Sequence, residues 1–264
     1  MKELTLYQVD AFATSVFKGN PAAVCPLESW LTDQQMQNIA EENNLSETAF
    51  IVPADNHYQI RWFTPNTEVA LCGHATLASA FVLFNMLNHQ GSEIIFQSQS
   101  GELRVSRQNN QLQMDFPALP YKKTMPSAVF LKAINIEPKE VYQSTFDLLC
   151  IFDDEADVQQ AQLDLFTISQ LDYRGIILSA PGKNYDVYSR CFYPACNVPE
   201  DPVTGSAHCV IAPYWSNRLN KNSIHALQGL KRQGALDCEV KDSRVLLSGT
   251  CHLYMQGTIF IPNK

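Results

Sequence analysis

The sequence predicts an α+β fold of two similar lobes, each a curved, mostly antiparallel sheet wrapped around a central buried helix. Three observations carry this. The stretch from Leu77 to Leu87 is apolar on every side of a helical projection (Leu77, Ala78, Ala80, Phe81, Val82, Leu83, Phe84, Met86, Leu87), so its helix must be enclosed. The segments around it are short and read as strands of a mostly antiparallel sheet, which leaves a curved sheet as the economical wrapping. The order strand, Phe-x-Pro, loop, Gly-x-Ala, buried helix also occurs twice. It runs through Phe63-Thr64-Pro65 and Gly73-His74-Ala75, then through Phe192-Tyr193-Pro194 and Gly205-Ser206-Ala207, with a loop three residues longer in the second copy. We read this as a diverged internal duplication.

In chain order, residues 4 to 12 form a strand, followed by the loop Lys18-Gly19-Asn20-Pro21 and a short strand from Ala22 to Cys25. Thr32-Asp33-Gln34-Gln35 has the form of a capping box and opens an amphipathic helix to about Glu42, with Met36, Ile39 and Ala40 inward. Asn43-Asn44 ends it. Extended runs follow at Glu47 to Val52 and Tyr58 to Phe63, then the buried helix. After it, strands are expected at 93–97, 102–106 and 111–116, the last two joined by a turn at Asn109-Asn110. Three prolines between Pro117 and Pro126 mark the lobe boundary, placing one lobe at 1–122 and the other at 123–264, whose last strand can pair back into the first. In the second lobe, strands at 176–178 and 185–192 lead to the second helix, which Pro213 should kink or end early.

Bulk properties exclude several function classes. The 264 residues are 45% hydrophobic and 17% charged, an ordinary globular balance. The net charge is −8 and no basic block is present, which speaks against nucleic acid as a partner. The longest apolar run is far short of the roughly 20 residues that span a bilayer, and the N-terminus alternates like a strand rather than a signal peptide. A soluble, cytoplasmic protein is expected. The eight cysteines lack a C-x-x-C pair, and reduced thiols are expected, with no metal site at standard spacing. No G-x-G-x-x-G, P-loop or G-x-S-x-G is present.

Gly19-Asn20-Pro21-Ala22-Ala23-Val24, Ser46-Glu47-Thr48-Ala49-Phe50, the run from Phe63-Thr64-Pro65 through Glu68-Val69 to Cys72-Gly73-His74-Ala75-Thr76, and Asp201-Pro202-Val203-Thr204-Gly205-Ser206-Ala207-His208 resemble the signature segments of the PhzF-like phenazine-biosynthesis proteins. The resemblance spans essentially the whole chain. It implies the diaminopimelate-epimerase-like fold, with the active site between lobes, a homodimer, and an isomerase that needs no cofactor. The family activity it brings is isomerisation of a dihydro-hydroxyanthranilate by moving a proton. It casts Glu47 as the acid/base, with His74 and Asp201 as the supporting pair. A carboxyl in a closed apolar cleft can have its pKa raised far enough to take and return a proton. Asn20, Gly73, Gly205 and Ser206 are the expected binders of a small carboxylate-bearing substrate, since helix N-termini favour anions. A histidine at such a terminus is expected to stay neutral. The chain departs from the family at Leu230, where the loop often carries serine, and this bears on substrate identity.

Two other functions fit the same residues. Cofactor-independent epimerases of this fold use two facing thiols, and Cys72 could be one of them. The second helix start offers no thiol in sequence, so Cys72 is expected to pack in the core. A non-catalytic metabolite-binding protein is the third option, and it would bind carboxylates without exchanging their protons with solvent.

Overall fold

The computed structural model describes residues 1–262 and divides the chain into two compact units, Met1–Asp115 with Ser248–Lys264, and Phe116–Leu247. The division falls a few residues before the proline-rich boundary expected at 122, and the strand Cys251–Ile261 belongs to the first unit. The fold class is α+β. No helix among the described residues is long and apolar enough to cross a membrane.

In the first unit, the strand Lys2–Ala11 lies antiparallel to both Cys251–Ile261 and Asn20–Pro26. Asn20–Pro26 runs parallel to Glu47–Pro53, which pairs antiparallel with Tyr58–Phe63. Between them lies the helix Asp33–Asn43. Its capping box forms through Thr32 and Gln35, it buries Met36, Ile39 and Ala40, and left-handed Asn44 stops it. The helix Gly73–Asn85 buries ten of its residues, including His74, Thr76 and Ser79, and only its last residue, Asn85, is exposed. Thr76 and Ser79 tolerate this because each hydroxyl donates to the carbonyl four residues back, Cys72 O at 2.6 Å and Ala75 O at 2.7 Å.

The second unit repeats the plan. Asp147–Ile151 runs parallel to Gly175–Pro181, which pairs antiparallel with Val187–Tyr193. The buried helix is Gly205–Leu219. Pro213 does not end it early, one of the two outcomes expected from its missing N–H. The carbonyl that a residue-213 amide would have used, Cys209 O, instead accepts from Leu119 N at 2.8 Å. The lost helical bond is thus replaced by one from the segment preceding the strand Tyr121–Lys123, and Pro213 stays buried inside a continuous helix.

The strand registers make the duplication exact enough to map residue by residue. Phe63 lies opposite Thr48 and Trp62 opposite Val69; in the second unit Phe192 lies opposite Ile176 and Cys191 opposite Asp201. Arg61 and Arg190 therefore correspond, and so do Glu68 and Glu200. Each arginine forks onto its glutamate, at 2.7 and 2.7 Å for Arg61–Glu68 and 2.9 and 2.9 Å for Arg190–Glu200. The same bidentate clamp closes both loops that lead into the buried helices.

Candidate active site

Glu47 opens its strand beside Asn20–Pro26, with Ala22 opposite it in register. Asn20 is fully buried and its Oδ1 accepts from Ser46 Oγ at 3.2 Å, which ties the residue before Glu47 to the neighbouring strand. The turn into Asn20 requires glycine. Gly19 has φ +66°, and a Cβ there would stand 2.2 Å from Ala11 O. On the other side, the Arg61–Glu68 clamp, a Ser100 Oγ to Ala70 O bond of 2.8 Å and a Gln37 Nε2 to Thr64 O bond of 2.9 Å fix the loop that delivers Cys72, Gly73 and His74. Cys72 is the N-cap and its side chain does not cap.

The structure brings Glu47, His74 and Cys72 together. His74 Nε2 is 3.1 Å from Glu47 Oε2, an ion-pair contact without the alignment of a hydrogen bond. Neither of these buried atoms has a hydrogen-bond partner among the described residues. His74 Nδ1 faces Cys72 Sγ at 3.5 Å. Burial, then the nearby Glu47 carboxylate, push the Cys72 thiol up to about 11. Burial also pulls against a charged His74, yet Cys72 and Glu47 on its two sides hold its pKa well above the ordinary 6.5. Because the thiol is neutral at neutral pH, Glu47 is the charge that keeps the proton on His74. This direction runs against the neutral imidazole expected from the helix terminus: the thiol at 3.5 Å and the carboxylate at 3.1 Å both oppose the helix dipole. Cys72 is buried as expected, but it lies in the site rather than in inert packing.

In the second unit, Asp201 ends the strand Val198–Asp201, and Gly205 and Ser206 open the buried helix. Thr204 is the N-cap and its side chain does not cap; its hydroxyl instead donates to Asp201 Oδ2 at 2.5 Å. A Cβ on Gly205 would meet only Leu247 Cδ1, at 3.7 Å, so packing does not demand glycine there. His208, one turn on, is buried, its Nδ1 is 2.9 Å from Thr204 O, and burial lowers its pKa to about 4.

Donor atoms of Glu47, His74 and Cys72 lie within 4.8 Å of one another, a set zinc could use. The ring turns Nε2 to Glu47 and Nδ1 to Cys72, so the imidazole lies between the other two donors. As placed, the line Glu47–His74–Cys72 suits proton transfer better than ligation.

Residues 9–257 match the family described as phenazine biosynthesis-like protein. The chain belongs to this PhzF-like family. It is 49% identical over 262 residues to a Pseudomonas aeruginosa protein named as an uncharacterized isomerase, covering 98% of this chain and 100% of that one. A crystal structure of a PhzF-family phenazine biosynthesis protein from Enterococcus faecalis superposes with a TM-score of 0.96 at 44% identity, covering 98% of this chain and 100% of that one. A hydroxyproline epimerase structure from Agrobacterium vitis, at 9% identity, TM-score 0.61 and coverage of 98% and 91%, shares the fold.

Within this PhzF-like chain, three features escaped the sequence reading. The paired Arg–Glu clamps were visible as Arg-x-Phe-x-Pro at 61–65 and 190–194, with the glutamates offset by the same three-residue loop difference. A thiol does reach the second helix start, because Cys191 lies opposite Asp201 across the strands. Gln228 stood in the sequence only as the first residue of the family-like loop Gln228–Gly234; its side chain bonds to Thr204 and to the Asp201 carbonyl once its strand is in register beside Val187–Tyr193.

Proposed function

We propose that this protein is a cofactor-independent isomerase that moves a proton on a small carboxylate-bearing substrate. Glu47 is the acid/base, and His74 and Asp201 hold the substrate. The observation that carries this is the buried contact between Glu47 Oε2 and His74 Nε2, two polar atoms with no hydrogen-bond partner among the described residues. Each has only the other as an ion-pair partner, so buried hydrogen-bonding capacity is left over for a substrate to fill. In the proposed step the Glu47 carboxylate takes a proton from a C–H adjacent to an unsaturated or carbonyl group. The electron pair spreads into an enolate-like intermediate, which protonated His74 stabilises from Nε2. The Glu47 carboxyl then returns the proton to a different carbon. The uncapped amides at the start of the helix Gly73–Asn85 suit the substrate's carboxylate.

The internal duplication favours one base over two. The register that matches Thr48 with Ile176 matches Glu47 with Gly175. No acid stands at that second position, and a Cβ there would lie 2.1 Å from Tyr193 Cδ1, so the Tyr193 ring already fills its place. A single carboxyl that both takes and returns the proton suits isomerisation rather than two-base inversion. The test is a dihydro-hydroxyanthranilate incubated in deuterated water. Deuterium should enter the product carbon, and Glu47→Gln should cut the rate by about 10² to 10⁴-fold. Full exchange by Glu47→Gln would overturn the assignment.

A further inference from the structure

The second buried polar cluster, at the start of the helix Gly205–Leu219, has a direction built into it. Gln228 is fully buried, and its two ends are assigned by their neighbours. Its Oε1 accepts from Thr204 N at 3.0 Å, and its Nε2 donates to Asp201 O at 2.8 Å. Flipping the amide would set donor against donor and acceptor against acceptor. With the amide fixed, Nε2 also donates to Thr204 Oγ1 at 3.0 Å. The Thr204 oxygen is therefore an acceptor towards Gln228, and its single proton goes to Asp201 Oδ2, 2.5 Å away. Gly229 follows at φ +96°, where a Cβ would come within 2.3 Å of Arg232 O and 2.9 Å of Pro202 O.

We propose that Gln228 and Thr204 are positioning residues that aim one hydroxyl proton at Asp201 and so hold its carboxylate ionised and oriented to accept from a substrate amine or hydroxyl. This rests on the role proposed for Asp201 above. The other ionisable groups around the cluster leave that charge in place. Cys191 and Tyr193, on the strand Val187–Tyr193, are kept protonated by burial, and His208 is neutral for the same reason. Arg174 and Asp147 neutralise each other.

The experiment follows the Asp201 carboxyl carbon by 13C NMR through a pH titration of the full-length protein, with Asp201→Asn identifying the signal. A hydrogen bond to a charged group is lost in Thr204→Val, so the carboxyl should titrate about one pH unit higher, while Thr204→Ser should titrate like the wild type. Gln228→Glu should move it upward as well. It removes the donor that orients the hydroxyl, and it adds a like charge. An unmoved titration in either Thr204→Val or Gln228→Glu would overturn the positioning role, and Gln228→Glu stands in where Thr204→Val does not fold. Deuterium exchange into a dihydro-hydroxyanthranilate by Asp201→Asn tests the underlying role separately. If exchange persists while the titrations move as expected, the positioning stands and the substrate role of Asp201 falls.

Discussion

Replacing Glu47 by glutamine removes one charge 3.1 Å from a buried imidazole and changes almost nothing in shape. Two unit charges at that distance attract by about 5 kcal/mol at an effective dielectric of 20. The Glu47 side chain is 17% exposed and that of His74 8%, so solvent screens little of it. Burial, the largest influence on His74, opposes its charge, and in the variant only Cys72 still works against it. The His74 pKa should therefore fall when Glu47 is replaced. Long-range 1H–15N correlation of the imidazole nitrogens across a pH titration reads this directly. The same pair has a stability signature. A folded-state pKa above the unfolded value contributes stability that is fully present below pH of about 6.5 and is lost as pH rises through the folded pKa. Wild type and Glu47→Gln should thus differ in unfolding free energy at neutral pH and converge on the alkaline side. A His74 that titrates at the same pH in both proteins would refute the argument and hand control of its proton to Cys72.

Three further outcomes follow from the structure. Cys72→Ala should slow deuterium exchange by less than about tenfold, because a thiol held near pKa 11 is not a base at neutral pH; a loss matching that of Glu47→Gln would favour a thiol-based epimerase. Gly19→Ala should lower the unfolding free energy by about 3 kcal/mol or more in chemical denaturation, since the positive φ and the clash with Ala11 O act together; a change under about 1 kcal/mol would mean the turn can relax. Arg174→Met strands the buried Asp147 carboxylate, which Arg174 holds at 2.9 and 2.5 Å, and should cost about 3 kcal/mol at pH 8. The deficit should shrink towards pH 5, because burial already raises the Asp147 pKa and the abandoned carboxyl can take a proton there.

The parts of this protein that were legible in its sequence are those set by local chemistry. An all-apolar helix announces its own burial, a capping box announces a helix start, and Asn44 and Asn109 take the left-handed turns that asparagine allows. What sequence could not give was anything decided by strand register. Pro213 looked disruptive because the amide that repairs its helix, Leu119 N, comes from 94 positions earlier. His74 looked neutral because its helix position was visible and its distance to Glu47 was not.

The same limit applied to the missing second thiol. Cys191 reaches Asp201 across a strand pair, not along the helix start where the duplication pointed. Register also supplies the asymmetry on which the chemistry turns. Duplication would give the second unit an acid matching Glu47, but the matching position is Gly175, and Tyr193 occupies its space. Reinstalling the acid is therefore not a matter of one substitution. Gly175→Glu alone would drive a side chain into the Tyr193 ring and should unfold the second unit before it created a second base. With Gly175 at the position matching Glu47 and Tyr193 in its space, packing leaves no room for a second acid there, which is the asymmetry that the proposed single-base step uses.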